Sequence, residues 1–94
     1  MNLEPDIVDW IRREFPADQF EQIADSVIQA SESPRIRRCI AFASHGNIEH
    51  LNYFCKLAKI DYRDVINAGE YECKDTRLYD FNLPIDQASI KSES

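Results

Sequence analysis

Arg35, Arg37 and Arg38 crowd three guanidinium groups into the opening turn of a helix that Pro34 is predicted to start. Cations at a helix N-terminus oppose the macrodipole, at a cost of about 0.3–1 kcal/mol each. Three of them there need compensation, and two kinds are open. Arginine forks and the free N–H groups of a helix start can hold a phosphate or carboxylate. Alternatively, the arginines pair with the acidic first third of the chain, where Glu4, Asp6, Asp9, Glu14, Asp18, Glu21, Asp25 and Glu32 face only Arg12 and Arg13. The second is the favoured expectation. Either way Arg35, Arg37 and Arg38 are the binding candidates, for an anion or a partner. Phe42 joins them, on the same helix side as Arg35 and Arg38.

The other reactive residue types fall into no diagnostic pattern. His45, His50, Cys39 and Cys55 are ligand types that zinc prefers. His50 and Cys55, however, lie five apart and differ by about 140° around a helix, so no metal site and no cofactor are expected. Cys39, among Ile36, Ile40 and Ala43, reads as core; His50, near Phe54 and Leu57, reads as partly buried. The three cysteines, Cys39, Cys55 and Cys73, fit no disulfide framework and read as free thiols. Asp61 and Asp64 stand where a helix cap and its first turn want acids. Glu70 and Glu72 read as a solvated face. Two glycines exclude a phosphate-binding loop, and no catalytic residue is assigned.

Helical spacing supplies the elements that carry these groups. Pro5, Pro16 and Pro34 each precede an apolar run with helical period, as suits a residue whose missing N–H is harmless at a helix start. Ile7, Val8, Ile11 and Phe15 share one side of a first helix, roughly 5–15. Phe20, Ile23, Ala24, Val27 and Ile28 form the stripe of a second, roughly 16–30. Ile36, Cys39, Ile40 and Ala43 line the third. His45-Gly46-Asn47 breaks the chain, and Asn47 caps a fourth helix lined by Ile48, Leu51, Phe54, Cys55 and Ala58. Asp61 caps a fifth with Tyr62, Val65, Ile66 and Gly69 on one face; Gly69 suits a close helix approach. The fold class is therefore all-α, a compact bundle or array of about five short helices spanning 1–75. Residues 76–94 read as an extended C-terminal arm that packs on the bundle or reaches a second subunit, frayed from Ala88 onward.

Two resemblances are carried by the middle of the chain. G-N-I-E-H-L-N-Y-F-C-K-L-A-K, 46–59, resembles the second helix of an ankyrin repeat, but the T-P-L-H turn and a second copy near 33 residues are absent, so an ankyrin fold is not expected. R-R-C-I-A-F-A-S-H-G-N-I-E-H-L-N-Y, 37–53, with D-Y-R-D-V-I-N-A-G-E-Y, 61–71, resembles small bacterial hypothetical proteins of unknown function. That resemblance implies a bacterial cytosolic origin and no site residues.

The 94 residues, 44% of them hydrophobic, suffice for one modest core. No apolar run approaches the ~18 residues that cross a bilayer, and the acidic start M-N-L-E-P-D is unlike a signal peptide. A cytoplasmic protein is expected. A net charge of −6 and the acid in Ile48-Glu49-His50, where a helix-turn-helix would touch bases, argue against nucleic acid. Trp10, Phe42, Tyr53 and Tyr71 fall outside their helices' apolar arcs, and aromatics with arginine are enriched at interface cores. Trp10, Tyr53, Tyr71 and Phe81 are therefore the interface candidates. The expected function is a non-enzymatic protein–protein interaction domain that associates with itself, a homodimer being the simplest form. The rivals are an anion- or phosphometabolite-binding sensor or enzyme built on Arg35, Arg37 and Arg38, and an acidic inhibitor of the immunity type.

Overall fold

Proline and polar caps set the helix starts. A computed structural model describes residues 3–73 and 76–89. It holds five helices: α1 (Pro5–Glu14), α2 (Phe20–Ala30), α3 (Pro34–Ala43), α4 (Ile48–Ile60) and α5 (Tyr62–Glu70). The side chains of Ser33, Asn47 and Asp61 accept backbone N–H groups at the starts of α3, α4 and α5. The second helix starts later than its proline suggests. Pro16 opens a single 3₁₀ turn, Ala17–Gln19, and the non-helical backbone of Gln19 delays α2 to Phe20. After α3 the chain reverses through His45 and Gly46, both at positive φ (51° and 77°).

α3 is the central element and packs against α1, α2, α4 and α5, most extensively α5. Seven of its ten residues are consequently buried, including Arg37 and Arg38. The apolar stripes meet around it: Ile7, Ile11 and Phe15 from α1, Ile23 and Val27 from α2, Leu51 and Cys55 from α4, and Val65 from α5. Two placements differ from the sequence reading. Tyr62, expected on the core face of α5, is 52% exposed, because it occupies the first position of a helix whose packing begins at Val65. His50 is exposed on α4, since the core side of that helix is taken by Leu51 and Cys55.

The arm docks on its own bundle. Strand β1 (Tyr71–Cys73) pairs antiparallel with β2 (Thr76–Arg77), so the extended segment has a partner within the chain. Phe81, Ile85 and Ala88 then enter the same hydrophobic core as the helices, and a bridge joins Tyr79 to Ser89. Ala88, expected at a fraying end, is fully buried, because it packs into that core, and its carbonyl accepts the Asp80 N–H at 2.8 Å. The rest of the predicted fray, residues 90–94, lies outside the described residues, as does the Cys73 side chain.

Gly69 makes the closest helix contact. A Cβ there would lie 2.8 Å from Cys39 Cβ and 2.9 Å from Cys39 Cα, so α3 and α5 approach at a distance only glycine permits. Gly69→Ala is expected to destabilise the fold by about 1–3 kcal/mol, the usual range for overpacking. Urea denaturation checks it; an unchanged midpoint would show that the two helices part at no cost.

Candidate functional site

Arg35 and Arg38 are three residues apart on α3 and project to the same side, with Phe42 one to two turns further along. Each arginine holds a carboxylate from another helix. Arg35 donates from Nε and Nη2 to Glu70 at 2.9 and 2.7 Å. Arg38 donates from Nε and Nη2 to Asp6 at 2.8 and 3.2 Å. These are planar two-point pairings of the kind only arginine makes with a carboxylate. Each carboxylate then catches one N–H of the arm: Phe81 donates to Glu70 at 3.0 Å and Ile85 to Asp6 at 3.0 Å. Arg38 also donates to the Phe81 carbonyl at 3.1 Å. The arginine face of α3 is thus the seat of the C-terminal arm.

Glu70 is the most enclosed group of this network, with no exposed surface. Its Oε1 also meets Arg77 Nη2 at 3.0 Å, and its carbonyl accepts the Leu78 N–H at 2.7 Å. Glu70, read from sequence as part of a solvated face, is instead the buried hub. The reason is its place at the end of α5, held against α3 by Gly69; nothing follows for the Glu72 side chain, which lies outside the described residues. Burial alone would raise its carboxyl. The bonds from Arg35 and Phe81, with the charges of Arg35 and Arg77, outweigh that and hold it below the usual carboxylate range. Asp6 follows the same pattern: burial raises it, and Arg38 and the Ile85 N–H bring it below its ordinary value.

Arg37 points elsewhere. Its Nε and Nη2 donate to the Ser31 and Ile28 carbonyls at 2.7 and 3.3 Å, capping the C-terminal end of α2, and its Nη1 lies 3.5 Å from Glu4. A cation there complements the negative end of α2. All three dipole-opposing arginines are therefore compensated within the chain: two by acids at or just before α1, the third by Glu70 of α5.

The aromatic candidates divide. Phe42 sits among Tyr79, Phe81 and Trp10, with ring centroids at 4.6, 5.2 and 5.4 Å. Trp10 is half-buried, and its indole N–H donates to the Ala41 carbonyl at 3.1 Å. Phe81, expected at an interface, has no exposed surface; the arm carries it into the core beneath Phe42 and Tyr79. Tyr71 is half-buried opposite Arg77 in the small ladder. Tyr53 alone stands outside, 59% exposed on α4. Ile60, 81% exposed on the same face of α4, is missing from the sequence reading, as are Glu70 as the partner of Arg35 and Arg77 as its second cation; Asp6 and Glu4 belong to the acidic segment expected to meet the arginines.

Burial and the nearby Glu70 charge push the Cys39 thiol up to about 12, and burial pushes Cys55 up to about 11, so both stay protonated at neutral pH. Among the described residues no group of three or more His, Cys, Asp or Glu side chains is placed to hold a metal ion. A cleft of about 500 Å³ beside α1 is lined by Asp6, Asp9 and Asp86 together with Arg12, Arg13 and Ile85. No helix of the described residues is long and apolar enough to cross a membrane. No family model, curated protein or solved structure matches this chain.

Lowered carboxyl values tie stability to acid. Folded Glu70 and Asp6 bind protons more weakly than in the unfolded chain, so their contribution is complete above the unfolded values, about 4.3 and 3.9. It is lost as pH falls through the lower folded values. Removing one partner of a buried ion pair costs about 3–5 kcal/mol. Glu70→Gln is expected at or below that range, because Arg35 and Arg77 keep 32% and 34% of their side-chain exposure. Chemical denaturation across pH 3 to 7 checks both effects: the variant loses stability at neutral pH and shows a shallower further loss in acid. Parallel curves for the two proteins would contradict this.

Proposed function

We propose that this chain is a non-enzymatic protein-interaction domain, able to associate with itself, whose contact surface is the outer face of α4. The carrying observation is the exposure of Tyr53 and Ile60 on that helix (59% and 81%). Positions 53 and 60 are seven apart and so lie on one side of the helix, where Tyr53 and Ile60 form an outer ridge above Leu57, which is half-buried against the core. Tyr62, at the first position of α5, is also exposed, at 52%. Three of the four large hydrophobic side chains exposed among the described residues thus fall within ten positions. Exposed apolar side chains concentrated in one part of a chain are the ordinary mark of a protein contact.

The arginine face supports a different use. Its two-point donors are engaged by Glu70 and Asp6, so an external anion would have to displace a buried carboxylate and the arm bound to it. That favours protein binding over the anion-sensing alternative. The acidic total and small size are compatible with the reading, and the protonated thiols are consistent with a non-enzymatic role.

A photo-crosslinking residue tests it in the cells that make the protein. Placed at Tyr53 or Ile60, it is expected to give covalent adducts with protein at discrete higher masses. Placed at Glu32, exposed in the loop between α2 and α3, it is expected to give none above background. Absence of adducts from both α4 positions would overturn the assignment.

A further inference from the structure

α2 and α4 lie side by side, with Cys55 Sγ 3.6 Å from the Ser26 carbonyl. Between them runs a groove of about 260 Å³ lined by Ser26, Gln29, Asn52, Cys55, Lys56 and Lys59. On a helix turning 100° per residue, Lys56 and Lys59 lie between the Tyr53–Ile60 ridge and this groove. On the far side, Glu21 and Asp25 form the outward row of α2, opposite its buried Ile23 and Val27. All four charged side chains are exposed, and none takes part in an ion pair among the described residues. The face therefore carries a basic pair, Lys56 and Lys59, on α4 and an acidic pair, Glu21 and Asp25, on α2, with Lys56 and Asp25 each one residue from the Cys55–Ser26 contact and so at one level.

We infer that this α2/α4 face binds a second copy of the chain, around a two-fold axis running along the groove. A symmetric dimer requires a patch complementary to itself. Rotation about an axis along the groove exchanges its two banks, so the lysine band of each copy overlies the acidic band of the other. It brings Tyr53 and the lysine stems of each copy against the partner's α2, burying apolar surface at the edge of the α4 ridge. Charge also selects this axis over its rival. A dimer centred on α4 alone, with the two ridges antiparallel, would set Lys56 and Lys59 against the partner's lysines, and like charges in contact are repulsive. The inference rests on α4 being a protein-contact surface and names its occupant.

Charge reversal provides the test. Native mass spectrometry and sedimentation equilibrium of the full chain at low ionic strength are expected to show a dimer that forms with rising concentration and weakens with added salt. The pair Lys56→Glu and Lys59→Glu places acids on both bands, and the pair Glu21→Lys and Asp25→Lys places bases on both. Each double variant alone is expected to be monomeric. Their equimolar mixture is expected to restore a heterodimer, since every band then meets its opposite. Far-UV circular dichroism verifies that the variants, altered only at exposed positions, keep the helical fold. A monomeric wild type throughout, or reversed variants that dimerise as it does, or a mixture that stays monomeric, would each overturn the inference. Adducts to other proteins from Tyr53 and Ile60 with a monomeric chain would sink the dimer and leave the α4 surface standing.

Discussion

The carboxylate of Glu70 is charged and wholly enclosed, and a charge in that position persists only where other groups replace the water it has lost. Arg35, Arg77 and the Phe81 N–H supply the replacement. They come from the start of α3 and from two points of the arm, Arg77 in β2 and Phe81, so satisfying one group fixes both α3 and the arm relative to the end of α5. Asp6 repeats the arrangement at the start of α1 with Arg38 and the Ile85 N–H. Ion pairs of this kind add modest net stability compared with apolar packing, and their stronger effect is on which arrangement is tolerated. The arm could slide along an apolar groove at little cost. It cannot slide past two carboxylates that each require one of its N–H groups.

Surface properties follow from that clamp. With the arm seated, Phe81 is interior and the aromatic cluster around Phe42 is shielded on one side. The apolar surface left outside shifts to α4, where Tyr53 and Ile60 face away from the bundle. The arginines that gave the middle of the sequence its basic character are absorbed by acids, while Lys56 and Lys59 keep theirs. A chain of net charge −6 therefore displays a local basic band on one helix, next to its most exposed apolar residues.

Helix count, capping and core stripes were legible because each depends on residues near in sequence. Ser33-Pro34, Asn47 and Asp61 act within one turn, and Ile23, Ala24 and Val27 need only their own helix to define a buried side. The arginine cluster was legible as an anomaly, since its conflict with the α3 dipole is also local. Its partner at Glu70 was not, because 35 residues separate it from Arg35 and the link exists only after α3 and α5 pack. A signal was nonetheless present. Glu70 ends α5 with a negative charge at the negative end of the dipole, the mirror image of arginines at the start of α3. Two opposed misplacements are an argument for pairing them. Phe81 reads as an interface residue for a related reason: the groups that receive its segment, β1, Glu70 and Arg38, come together only after the helices pack. Tyr53 stands outside its apolar arc in the sequence as in the structure, whereas Ile60 carries no such signal, because an isoleucine at a helix end resembles core.

Native-state amide hydrogen exchange at Phe81 and Ile85 addresses the clamp most directly. If the two carboxylates hold the arm, both amides exchange only through global unfolding, with protection matching the core amides of α3. Exchange at the rate of an open chain, while α3 remains protected, would mean that the arm is not held by Glu70 and Asp6 and would contradict the account.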